Sequence, residues 1–103
     1  MREHDYRESR VCRILGNPTA YQVLVLLRNG SRMRPTEIAR AVDRSLPAVS
    51  ITLRLLRTAD LVRYDRGGRA TMYWIKYPAE TRSAVAALRR LVDRSSRRLR
   101  KDQ

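Results

Sequence analysis

Pro35-Thr-Glu-Ile-Ala-Arg-Ala-Val42, then Asp43-Arg44, then Ser45-Leu-Pro-Ala-Val-Ser-Ile-Thr-Leu-Arg-Leu-Leu-Arg57: this stretch decides the fold. Pro35 suits the first turn of a helix, where its missing N–H costs nothing. Ser45 followed two residues later by Pro47 is a second helix start, with serine as the cap. Only Asp43 and Arg44 separate the two helices, so they must cross steeply, as in a helix-turn-helix. In the second helix Leu46, Val49, Leu53 and Leu56 recur at spacings of three, four and three, which puts them on one core-facing stripe. Pro47, Ala48, Ile51 and Arg54 then face outward near the helix start, with Ser45 as the cap and Ser50 at the edge. Helices of this kind read DNA bases with their N-terminal residues. Ser50 suits a phosphate or a base edge, Arg54 a phosphate or guanine, and Ala48 and Ile51 a thymine methyl. The alternative is an ordinary surface helix with one stray isoleucine.

Working outward, the punctuation sets the other elements. Gly16 ends a first apolar-periodic segment. Asn17-Pro18 then supplies a cap and a first-turn proline, and Gly30 closes the helix that follows. Within that helix Val23-Leu-Val-Leu-Leu27 could by itself be a buried strand; the Asn-Pro start and glycine stop favour a buried helix. After residue 57, Val62-Arg-Tyr-Asp-Arg66 and Ala70-Thr-Met-Tyr-Trp-Ile-Lys-Tyr77 are rich in β-branched and aromatic residues, and Gly67-Gly68 between them reads as a two-residue hairpin turn. Trp74 falls on one strand face, Tyr73 and Tyr77 on the other. One face is expected to pack on the domain, leaving the last helix as a cover for the other. Pro78 opens that last helix. Four helices, a β-hairpin and a final helix make a mostly α winged helix-turn-helix. Arg66 and Arg69 flank the glycines, so the wing tip is basic and suited to phosphates or the minor groove, unless it is merely a solvated turn.

The charge balance agrees. Lys+Arg number 23 against 10 Asp+Glu, a net charge of +13, and a homodimer would carry twice that. Such a field repels like copies and attracts polyanions, nucleic acid first and an anionic membrane surface second. Arginine predominates, and its planar fork suits phosphate and guanine edges. There is no apolar stretch of membrane-spanning length and no apolar signal-peptide core at the start, so a cytoplasmic protein without a membrane partner is expected. Cys12 is the single cysteine, which fits a reducing compartment. Arginines at 2, 7, 10 and 13 flank it, so it is a candidate redox sensor; a packing role is the alternative. His4, the single histidine, could join Asp5 and Cys12 across a dimer, but a tetrahedral zinc site wants more N and S ligands. One His, one Cys and no phosphate-cradling glycine loop leave little for catalysis, so no enzyme is expected.

The last helix carries Val85, Leu88, Val92, Ser95 and Leu99 at a three-four-three-four spacing, widened by Ala84, Ala87 and Leu91. Such a face suggests a dimer interface; covering the hairpin is the alternative. Residues 1–96 are read as one DNA-binding and dimerisation domain, and 97–103 as a basic tail.

Residues 15–77 resemble the ArsR-type family of bacterial and archaeal winged-helix repressors. Leu15-Gly-Asn-Pro-Thr19 is similar to that family's second-helix opening, Ser45 to Arg57 to its recognition helix, and Ala59-Asp-Leu-Val62 with Gly68-Arg69 to its exit into the wing. The resemblance implies a dimer held by the first and last helices, bound to DNA as a repressor that blocks polymerase. There are departures. Ile51 and Thr52 stand where polar residues, commonly histidine, are usual, and Ala20 replaces an arginine. The positions of the metal-sensing members' ligands are empty: the third helix reads Glu37-Ile-Ala-Arg-Ala-Val42 without a Cys-x-Cys, and the last has no histidine. No metal site and no cofactor are expected. The resulting reading is a sequence-specific regulator on a partial palindrome. Alternatives are an architectural DNA-coating protein and an adaptor whose winged helix binds another protein.

Overall fold

The computed structural model describes residues 2–101, with side chains through residue 96. The elements run α1 (Glu3–Leu15), α2 (Pro18–Leu27), α3 (Pro35–Val42), α4 (Leu46–Thr58), β1 (Val62–Asp65), β2 (Met72–Ile75) and α5 (Pro78–Lys101). This is the winged helix-turn-helix order, mostly α with one small antiparallel hairpin.

The helix starts follow their caps. Asn17 accepts the N–H groups of Thr19 and Ala20 at 2.9 and 3.2 Å, and Pro18 follows it. Ser45 Oγ accepts the Ala48 N–H at 3.2 Å. At α3 the Glu37 carboxylate reaches back to the Arg34 N–H at 2.9 Å. Each bond satisfies donors that a helix start leaves unpaired. The apolar run Val23–Leu27 lies inside α2, not in a strand. Ala20, Val23, Leu24 and Leu27 are all buried there because α2 is enclosed by α3, α4 and the hairpin.

The helix ends are less obvious. Gly30 takes φ 88°, a value open to glycine. Asp43 and Asp60 take φ 55° and 64° without being glycine. Each sits in a Schellman arrangement. Arg44 N–H reaches the Ala39 carbonyl while Asp43 N–H reaches Arg40; Leu61 N–H reaches Leu56 while Asp60 N–H reaches Arg57. The first of these is the turn of the helix-turn-helix.

The core joins Val23, Leu24 and Leu27 of α2, Ile38 of α3, Val49, Leu53 and Leu56 of α4, Val62 and Ile75 of the hairpin, and Val85 of α5. Leu46 departs from the expected stripe. It occupies the first position of α4 and is 43% exposed, because the core lies one turn further along.

The hairpin is shorter, and its loop longer, than the glycine pair suggests. Asp65 pairs with Met72, so six residues, Arg66 to Thr71, connect the strands. The tight Gly67-Gly68 turn is thus corrected. Neither glycine adopts the positive φ that a two-residue turn of type I′ demands. Asp65 Oδ1 instead accepts the Gly67 N–H at 2.7 Å and starts a wider loop. A two-residue bridge also ties the wing to the body. Met33 and Tyr73 exchange backbone hydrogen bonds of 3.0 and 2.8 Å.

Lys76, just after β2, closes the α4 end. Its ammonium donates to both Asp60 carboxylate oxygens at 2.7 Å. That hydrogen bond holds its pKa above the ordinary 10.5, against some desolvation and with help from Tyr77.

Candidate nucleic-acid interface

The outward side of α4 is built from its first three turns. Val49, Thr52, Leu53 and Leu56 are buried and fix the helix rotation. That rotation leaves Pro47, Ser50, Ile51 and Arg54 exposed and Ala48 half-buried. Ile51 is 62% exposed, too much for a core role in this chain. Ser45 lies at the same end, its oxygen spent on the cap and its hydroxyl hydrogen still free to donate. Thr52 is buried at 5% exposure, so it is not on this face, whereas Leu55, 44% exposed, continues it. The surface offers methyl groups beside hydroxyl and guanidinium donors, the chemistry that suits the major-groove edges of thymine and guanine.

The wing stands beside it. Arg66 and Arg69 are both exposed in the loop between the strands. The structure adds Arg57, Arg32 and Arg44, which the sequence did not single out. Arg57, at the end of α4, lies 4.6 Å from the Tyr64 ring centroid, and Arg66 lies 5.3 Å from the same ring. Tyr64 is stacked on Tyr73 with centroids 5.7 Å apart. On the other face of the hairpin Arg32, from the loop before α3, lies 4.1 Å from the centroid of Trp74. Arg32 therefore occupies a position over Trp74. Arg44, in the turn, is held by Gln22 of α2 through an Nε–Oε1 hydrogen bond of 3.3 Å. Aromatic residues in the strands were the visible hint for the stacked arginines; Arg44 and Gln22 are 22 residues apart and gave none.

α1 and α5 leave an apolar groove of about 630 Å³ lined by Cys12, Leu15, Tyr21, Leu88 and Val92 among others. Leu88 is 40% and Val92 60% exposed, and Leu91 accompanies them. Val85 differs from its neighbours in the expected stripe. It is buried in the chain's own core and so has little surface left for a partner. Leu99 and the basic tail side chains lie outside the described residues, although the helix backbone continues past residue 96 to Lys101. Cys12 is exposed on this side. His4 sits beside Glu8 at 3.3 Å. Among the described residues no three His, Cys, Asp or Glu side chains are grouped as a metal site, and no helix is long and apolar enough to cross a membrane.

Comparison with known proteins agrees with this geometry. The model of the arsR family of bacterial regulatory proteins matches residues 17–64, from the α2 cap into β1. The HTH-type transcriptional regulator NmtR of Mycobacterium tuberculosis is 41% identical over 59 residues; the match covers 57% of this chain and about half, 48%, of that protein. Among solved structures, the homodimeric winged helix-turn-helix DNA-binding domain of a possible ArsR-family regulator from Mycobacterium bovis is 26% identical. It superposes with a TM-score of 0.73 over 90% of this chain and 88% of that one. Rv0081 of M. tuberculosis shares the fold at a TM-score of 0.82 and 24% identity, covering 96% of this chain and 99% of its own. Over residues 17–64, the helix-turn-helix and its exit into the wing, this chain is thus similar to the arsR family of bacterial regulatory proteins.

Proposed function

We propose that this chain is a transcriptional regulator that binds double-stranded DNA as a homodimer, reads a partial palindrome with α4, and acts as a repressor by occupying that site. The observation that carries the reading is the exposed N-terminal face of α4, with Ser50, Ile51 and Arg54, beside a wing bearing Arg66 and Arg69. The match of residues 17–64 to the arsR family model and the net charge of +13 support it. The homodimer reading draws on the exposed Leu88 and Val92 beside α1, and on the M. bovis neighbour, itself described as homodimeric. Leu99 is the further interface candidate that the sequence offers on the same stripe. The protein works without a cofactor or metal and in the cytoplasm, and catalysis has no place in this reading. Cys12, exposed at the groove between α1 and α5, is the candidate for a redox signal. A Cys12→Ser variant should then lose any peroxide sensitivity of DNA binding.

The test is retention of genomic DNA fragments at physiological salt, followed by the affinity ratio between the best fragment and random duplex. A sequence-reading regulator gives a ratio of roughly 10³ or more. A ratio near one would transfer the same surface to an architectural, DNA-coating role.

A further inference from the structure

Three arrangements are not explained by the reading above: the Arg44–Gln22 pair in the turn, a polar hollow near Arg10 and Thr58, and the gathering of Arg57 with Arg66 on Tyr64. The last is the most developed. Arg57 belongs to the final turn of α4 and Arg66 to the wing loop, yet both guanidinium carbons lie within 5.3 Å of one ring centroid. Two like charges gathered on one phenol repel each other, and among the described residues neither makes an ion pair with a carboxylate. Cation–π attraction offsets part of that repulsion. An anion that both could reach would offset more.

The ring itself is anchored. Tyr64 stacks on Tyr73, and Tyr73 is tied by two backbone hydrogen bonds to Met33 of the body. Asp65, the adjacent acid, points to the opposite strand face by the alternation of the pleat, and its carboxylate is engaged by Gly67 N–H. A two-stranded hairpin on its own is only marginally stable, so its aim depends on such contacts.

We infer that Tyr64 is a positioning residue that gathers Arg57 of α4 and Arg66 of the wing into a shared site for one DNA backbone phosphate. The inference rests on the DNA-binding reading above. Arginine pairs recognise phosphate through several charge-assisted hydrogen bonds at once. The site fixes the wing against the reading helix at the moment of binding, because its anion belongs to the DNA.

Salt dependence of duplex binding is the readout, since each phosphate neutralised adds about 0.9 to the slope of log K against log salt. Wild type, Arg57→Gln, Arg66→Gln, the double variant, Tyr64→Phe and Tyr64→Leu are compared on one labelled duplex, with circular dichroism reporting folding. Either arginine change should lower the slope by up to about 1, and the double variant should lose no more than about 1 in total. Tyr64→Leu, which removes no charge, should show the same loss, and Tyr64→Phe should keep the wild-type slope. Additive losses of about 2 in the double variant would show two separate phosphates and overturn the shared site. So would a wild-type slope in folded Tyr64→Leu. If Tyr64→Leu fails to fold, the arginine cycle alone decides. A wild type with no salt-dependent binding would instead refute the DNA reading itself.

Discussion

Asp43 and Asp60 hold backbone angles that most residues avoid, and the geometry of the interface passes through both. Asp43 at φ 55° turns the chain from α3 into α4; Asp60 at φ 64° turns it from α4 into the wing. Aspartate tolerates this region better than β-branched residues do, and glycine better still. Asp43→Gly should therefore melt at or above the wild-type temperature, while Asp43→Val should cost about 1–2 kcal/mol. Thermal unfolding checks both; a clearly destabilised Asp43→Gly would mean that the carboxylate, not the backbone angle, is what the turn needs. These two turns were hidden in the sequence for a physical reason. Glycine announces a positive φ, as Gly30 does, but an aspartate in a short connection is equally at home as a cap or a solvated charge. Leu46 misled in the opposite way. Its spacing fits the stripe, but the stripe begins a turn later, so its burial could not be read from periodicity. Ile51 was legible because the other apolar positions of α4 left it no place inside.

At the scale of elements, helices were legible and the wing was less so. Asn17-Pro18, Pro35 and Ser45-Leu-Pro47 each combine a cap or proline with a following apolar pattern, and α2, α3 and α4 start there. The wing loop depends on a side chain, Asp65, capturing the Gly67 N–H, and the Met33–Tyr73 bridge depends on two segments far apart in sequence. Local pattern carries neither. The junction between α4 and β2 supplies a prediction of its own. Lys76 has its pKa raised above 10.5, chiefly by its hydrogen bond to Asp60. The raised value belongs to the folded state, so the pair's contribution is fully present below the ordinary value of 10.5 and is lost as pH rises through the raised one. Asp60→Asn keeps a residue that tolerates positive φ but removes the charge. It should melt slightly lower than wild type at neutral pH, and the gap should close above pH 10.5. A gap that stays constant across that range would show that the charge pair is not its source.

On the scale of the whole molecule, the proposed regulator needs two surfaces to cooperate: the apolar groove between α1 and α5, and the side formed by α4 and the wing. Replacing Leu88 and Val92 by glutamate places two charges where a second copy would sit. Neither side chain is buried in the single chain, Leu88 being 40% and Val92 60% exposed, so the monomer should still fold. Light scattering at micromolar concentration should then show a monomer for the variant and a dimer for the wild type; a monomeric wild type would remove the dimer from the account. A dimer would present two α4 helices to half-sites about 10 base pairs apart or a multiple of that spacing. In the proposed division of labour, α4 reads sequence while the wing holds backbone. That division is tested most directly by the affinities of wild type, Ile51→Ala and Arg69→Ala for a selected operator and for random duplex, across a salt series. Ile51→Ala should weaken operator binding alone, by roughly 1–3 kcal/mol of discrimination. Arg69→Ala should weaken both duplexes nearly alike and lower the salt slope by about 1. If the two substitutions instead reduce both affinities in the same proportion, α4 does not read sequence, and the protein coats DNA rather than choosing a site on it.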